Sequence, residues 1–320
     1  MAKAGWGIAV LCKPQWVPVF QENPKAKAYG FGQASIPRAE EWLSLGRWLQ
    51  KQKFSHLLIP HYDQHLFLAS AFSGVKQRYA QFGGLLGRLT FHRCLRSGIR
   101  QNLRHMADVW LDFAREMGVP CDDGHPELFL ATNEIDAVRQ RVCERLGPGE
   151  YIVVHPFHGG SSCNWPPERY AELVKLLRRS TSYRIIITGS REEGKRWFHL
   201  GLHQDMKGDN MVWMSCGDLT LRELFAVVYS AEFIVCSSTG VLHVASALKV
   251  PAVSLFCPHP TVGPELWTSF SDGSRVVSPN RLSCSRFLSN SKKMDCHFRE
   301  GMTLEDVFNQ IKCLITSKKT

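Results

Sequence analysis

From residue 150 onward, strand-like and helix-like stretches alternate at short, regular spacing, and few folds accept that pattern. YIVVHP (151–156), YRIIITG (183–189), MVWMSC (211–216), EFIVCSS (232–238) and PAVSLFCP (251–258) each read as a buried strand. Between them lie helical stretches: PPERYAELVKLLRRS (166–180), which opens on proline, TLRELFAVVYSA (220–231), whose Thr220 and Glu223 form a capping box, and GVLHVASALKV (240–250). Strand and helix in strict alternation imply parallel βαβ units with right-handed crossovers, hence an α/β fold with a doubly wound parallel sheet.

In such sheets ligands bind beyond the carboxyl ends of the strands. Here those ends carry His155-Pro156-Phe157-His158-Gly159-Gly160, Thr188-Gly189-Ser190, Ser237-Ser238-Thr239-Gly240 and Cys257-Pro258-His259. One such turn is ordinary; four decorated ends on one edge point to a pocket. After FIVCSS the amides of Thr239, Gly240 and Val241 fall at a helix N-terminus, where unpaired N–H groups and the helix dipole attract an anion. Ser238 and Thr239 add hydroxyls, Gly240 allows close approach, and His243 lies one turn on. The bland alternative is a helix cap beside a core histidine, and this stretch alone leaves both open. Glu193, four residues past Gly189, is placed either to hold ribose hydroxyls or simply to favour a helix start.

The first half is less regular. GIAVLC (7–12) and SHLLIP (55–60) read as strands. PQWVPVFQEN, EEWLSLGRWLQKQ (40–52), HLFLASAF and MADVWLDFAREMG (106–118) read as helices. VPCDDGHPELFLATNE is the best linker, and TLEDVFNQIKCLIT (303–316) is a closing amphipathic helix.

Charge narrows the partners. Lys and Arg outnumber Asp and Glu by 39 to 29, a formal +10, which favours anionic partners. Between Asp63 and Asp108 there is no acidic residue, while Arg93, Arg96, Arg100 and Arg104 recur at a spacing that makes one basic stripe on a helix. That stripe is either a solvated face or a surface for an anion. It includes no recognised nucleic-acid module and few aromatics, so nucleic acid is not expected. The eleven cysteines show no CxxC spacing and read as free thiols, with Cys284 and Cys296 the pair to watch. No GxGxxG, P-loop or metal-ligand spacing is present, so no metal and no cofactor are expected. No apolar run is long enough to span a bilayer and no cleavage pattern follows the N-terminus, so the chain reads as cytoplasmic.

Together these stretches resemble the heptosyltransferase-type glycosyltransferases, family nine. YIVVHPFHGGSSCNWPPERYAELVKLL resembles the family's His-Pro loop and W-P helix opening, and IIITGSREE its T-G turn. CSSTGVLHVASALKVPAVSLF resembles the long [DS]-T-G-x-x-H-x-A signature, and the tail from Cys284 resembles the closing cysteine loop and helix.

The resemblance implies a GT-B fold of two Rossmann-like domains: an acceptor domain at 1–132, a donor domain at 133–302, and a helix at 303–320 crossing back to the first domain. It implies inverting, metal-independent transfer from a nucleotide-diphosphate sugar, commonly ADP-heptose, to an anionic glycolipid of the lipopolysaccharide core. The acidic inner face of the inner membrane is an implied contact.

The implied donor site comprises His158, Gly159, Cys163, Gly189, Ser190, Glu193 on the ribose, Leu219 near the adenine, and Ser238, Thr239, Gly240, Val241 and His243 on the diphosphate. The family pattern opens with a strand and a Gly-Asp loop that supplies the general base. This sequence opens at what reads as the second strand, and Asp63 is the substitute base by position. Cys163 stands where the family often has lysine, and Ser238 where it has aspartate. A relative that binds nucleotide or glycan without turnover is the other reading.

Overall fold

The computed structural model describes residues 5–80, 87, 89–91, 93–94, 104–121, 124–159, 164–259, 262–279 and 301–317. The chain divides into two compact units, one formed by 1–103 and 108–124 and the other by 104–107 and 125–320.

The first unit holds two parallel sheets. Strand β1 (Ile8–Cys12) pairs with β2 (Ala26–Gly30), a 3-10 helix at Pro14–Phe20 lying between them in sequence. Helix α1 (Trp42–Gln52) leads to β3 (His56–Ile59), α2 (Gln64–Ala71), β4 (Gln77–Ala80) and the two-residue β5 (Arg93–Cys94). The last three strands form the order β3-β4-β5, all parallel. Helix α1 buries Leu45, Gly46 and Leu49. Gly46 is required there, because a Cβ would sit 2.9 Å from the Ala69 carbonyl oxygen. Helix α3 (Met106–Glu116) ends before Gly118, whose φ of +79° stops it. Arg93, expected on a helical basic stripe, lies instead on β5, with Arg93 opposite Tyr79 in the ladder. Extended backbone at Arg93 takes it out of the 3.6-residue period on which that stripe depends.

The second unit opens with α4 (Thr132–Leu146) and then carries β6 (Tyr151–His155), α5 (Pro167–Ser180), β7 (Arg184–Ile187), α6 (Arg191–His199), β8 (Val212–Met214) and α7 (Leu221–Tyr229). After these come β9 (Ile234–Ser237), α8 (Gly240–Ala247), β10 (Ala252–Leu255), the short α9 (Pro264–Trp267), β11 (Arg275–Val277) and α10 (Leu304–Ser317). The sheet runs β11-β10-β9-β6-β7-β8, entirely parallel. Every residue of β6, β9 and β10 is buried. This explains why these strands read as unbroken apolar runs: a parallel sheet is covered on both faces. Among the described residues no helix is long and apolar enough to cross a membrane.

Val307, Ile311 and Leu314 of α10 are fully buried in the same core as Val253, Leu255 and Val277. Burying each stabilises by roughly 1.5–3 kcal/mol, and α10 is seated on β10 and β11.

Candidate functional site

Sequence neighbours are sheet neighbours on each half of the second sheet, but β6 and β9 are adjacent in space and far apart in sequence. The winding reverses there, and the crevice outside the carboxyl ends of such a strand pair is where doubly wound sheets take ligands. His155 at the end of β6 is in register with Cys236 on β9, so the loops after both strands flank one crevice.

Past β9 the chain turns into α8 through Thr239, whose extended backbone (φ −135°, ψ 172°) is that of an N-cap. Its side chain does not act as one. The Thr239 hydroxyl makes no capping bond, although the residue is only 8% exposed. Neither it nor the hydroxyl of fully buried Ser237 has a hydrogen-bonding partner among the described residues. Cys236 and Tyr170 neighbour them without reaching hydrogen-bond geometry. Burying a hydroxyl unpaired costs about 1–3 kcal/mol, so the fold carries two uncompensated hydroxyls side by side here.

The φ of Gly240 is not in the left-handed region, and a Cβ built on it meets nothing within 4 Å. Backbone strain and packing therefore do not demand glycine here, and the space beside its Cα is open. The first N–H groups of α8, from Gly240 and Val241, have no intrahelical acceptor, as at any helix start. His243, one turn into α8, is half-buried with its ring 5.7 Å from that of Trp267. Burial lowers its proton affinity.

Other strand ends complete the rim. His155 is buried, and its Nδ1 lies 3.0 Å from the Thr188 hydroxyl at the end of β7. Burial pushes the imidazole down to about 4, opposed by the Glu193 carboxylate and by the Thr188 contact. Gly189 has a packing reason to be glycine: a Cβ would sit 2.8 Å from the Phe157 ring. Ser190 caps α6, its Oγ accepting from the Glu193 N–H at 3.3 Å, while the Ser190 N–H donates to Glu193 Oε2 at 2.7 Å. Glu193 thus spends one carboxylate oxygen on its own helix. His158 is half-buried and Gly159 exposed past β6, and Leu219 packs against the core just past β8.

The expected base has a structural task of its own, and most of the expected acceptor residues are undescribed. Asp63 Oδ1 accepts the N–H groups of His65 and Leu66 at 2.9 and 3.0 Å, making Asp63 the cap of α2. Arg104 is exposed and belongs with the second unit. Cys163, Arg96, Arg100, Cys284, Cys296 and the side chain of Arg93 are outside the described residues. A groove of about 410 Å³ runs along α6 beside Met214 and Cys216, at the β8 edge and not at the β6/β9 crevice.

Sequence reasoning counted Ser237 in the hydroxyl run at the end of β9 but gave it no ligand contact. It missed His105, which meets the site only across 163 residues of chain.

Residues 99–297 match the sequence profile of glycosyltransferase family 9 (heptosyltransferase). A Haemophilus influenzae protein named as a glycosyltransferase is 22% identical over 213 residues, 64% of this chain and 61% of that protein. Lipopolysaccharide heptosyltransferase 2 of Escherichia coli is 26% identical over 246 residues, 71% of this chain and 68% of its own length. The chain therefore spans about three fifths to two thirds of these relatives. The solved structure of the E. coli ADP-heptose LPS heptosyltransferase II superposes with a TM-score of 0.76 at 17% identity, covering 100% of this chain and 93% of that one. That likeness gives the fold, an α/β arrangement of the GT-B class.

Proposed function

The chain belongs to glycosyltransferase family 9, and on that premise we propose that it moves a heptose-type sugar from an ADP-linked donor to an acidic glycan of lipopolysaccharide-core type. The observation that carries this reading is the pair of buried, unpartnered hydroxyls of Ser237 and Thr239 at the head of α8.

The acceptor oxygen attacks the anomeric carbon, the carbon–oxygen bond to the diphosphate breaks, and the nucleotide leaves with the electron pair. Attack opposite the leaving group inverts the centre. Negative charge grows on the departing phosphate, and in this reading the N–H groups of Gly240 and Val241, the hydroxyls of Ser238 and Thr239 and the His243 ring meet it. The positive helix end and these donors meet that charge themselves, so the reading needs no metal, and the nucleotide sugar is substrate rather than cofactor.

Glu193, with Oε2 held by Ser190, turns its other oxygen to the ribose hydroxyls. The backbone near Leu219 borders the adenine, and His158 and Gly159 close the crevice from β6. Asp63 has Oδ2 left to take the acceptor proton, and Arg93, Arg96, Arg100 and Arg104 meet the anionic acceptor. An acceptor of this kind and the basic excess suit a cytoplasmic protein working at an acidic membrane surface.

One observation favours a second reading. Asp63 already caps a helix with two bonds, which suits a relative that binds nucleotide without turnover. Release of ADP from ADP-heptose in the presence of a lipopolysaccharide-core acceptor supports the enzyme, and ADP binding with no release supports the binding protein.

A further inference from the structure

His105 stands in the short 104–107 segment that packs with the second unit, just ahead of α3. Both of its ring nitrogens are in use. The Ala107 N–H donates to Nδ1 at 3.1 Å, and Nε2 lies 3.0 Å from the carbonyl oxygen of Thr268. An N–H donates only into a lone pair, and a carbonyl only accepts. The ring is therefore neutral with its proton on Nε2, and no nitrogen is left for a ligand.

Thr268 follows Trp267, whose ring faces His243 at 5.7 Å. Phe270 lies edge-on to His105 at 4.3 Å, with His125 at 5.0 Å. The far side of this loop is tied to α8 itself: the Phe270 N–H donates to Ser246 Oγ at 2.9 Å and the Ser271 hydroxyl to the Ala245 carbonyl at 3.2 Å. Its near side, where Trp267 meets His243, is held by His105. We propose that His105 is a positioning residue for the donor site, fixing the Trp267–Thr268 turn and, through the Trp267 ring, the orientation of His243. This rests on the donor reading given above.

Three versions of the full chain test this: wild type, His105→Ala and His105→Gln, the last returning an amide N–H near the place of Nε2. The His243 imidazole is titrated by NMR without ligand, ADP is titrated by calorimetry, and donor KM and kcat are measured with ADP-heptose. The proposal expects His105→Ala to shift the His243 midpoint, to weaken ADP about tenfold and to raise donor KM more than it lowers kcat. His105→Gln should recover most of the ADP affinity. An alanine variant with wild-type His243 titration and wild-type ADP affinity overturns the proposal, and so does a glutamine variant as weak as alanine. No ADP binding by the wild type overturns the donor reading, and with it any donor role for His105. A moved His243 midpoint in that case would still place the two rings in one device.

Discussion

His155 Nδ1 lies 3.0 Å from the Thr188 hydroxyl, a bond that joins the ends of two neighbouring strands of the central sheet. The imidazole is buried, and burial holds it down to about 4. The unfolded chain takes up this proton below about 6.5, while the folded chain resists until near 4. Stability from this group is therefore complete above about 6.5 and lost as pH falls from there toward 4. The whole effect is about 3–4 kcal/mol. Urea unfolding at pH 7.5 and pH 5 should show the loss in wild type and a much smaller one in His155→Gln; equal losses would remove His155 from the account.

Thr239→Val separates a cap from a ligand site. Because the hydroxyl bonds nothing in the free protein, its loss should leave stability unchanged or slightly higher. ADP binding should weaken by about 1–3 kcal/mol. A drop in stability of the size of a lost cap, about 1 kcal/mol, with ADP affinity intact would make Thr239 a cap after all.

Gly240→Ala is a second probe at the same place. The added methyl meets open space in the free protein and the backbone is unstrained, so the melting temperature should hold or rise slightly. Binding of ADP should fall, since the methyl occupies the approach to the first N–H groups of α8. Unchanged affinity would mean that no phosphate comes close to Gly240.

Glu193→Ala should lower stability by about 1 kcal/mol, through the lost reciprocal cap with Ser190. It should also erase the preference for ADP over its 2′,3′-dideoxy analogue, if the free carboxylate oxygen holds the ribose. Calorimetric titration with both nucleotides reads this directly; a preference that survives would leave Glu193 a capping residue only.

Asp63→Asn keeps an oxygen to cap α2 and removes the base. The variant should fold as wild type does and lose turnover by about 10²–10⁴-fold. Wild-type turnover would send the base elsewhere.

Much of the second unit was legible because a doubly buried parallel strand needs an unbroken apolar run, and β6, β9 and β10 have one. β2 (AKAYG) and β4 (QRYA) were missed because they carry charges and small residues and are only partly buried. Helix α4 was lost at the linker: its buried face is just Val138, Val142 and Leu146, in a mostly polar segment. The α8 site was readable because its hydroxyls, glycine and histidine are contiguous. The Ser190–Glu193 cap was equally visible as S-x-x-E, the same spacing that marked Thr220 and Glu223. His105 was not readable at all, since its partner Thr268 is set by tertiary packing alone.

The most direct test is calorimetric titration of the wild-type chain and Thr239→Val with ADP, UDP and GDP. The account predicts wild-type binding that prefers ADP and a Thr239→Val chain equally stable but clearly weaker for ADP. Failure of the wild type to bind any of the three nucleotides would contradict it.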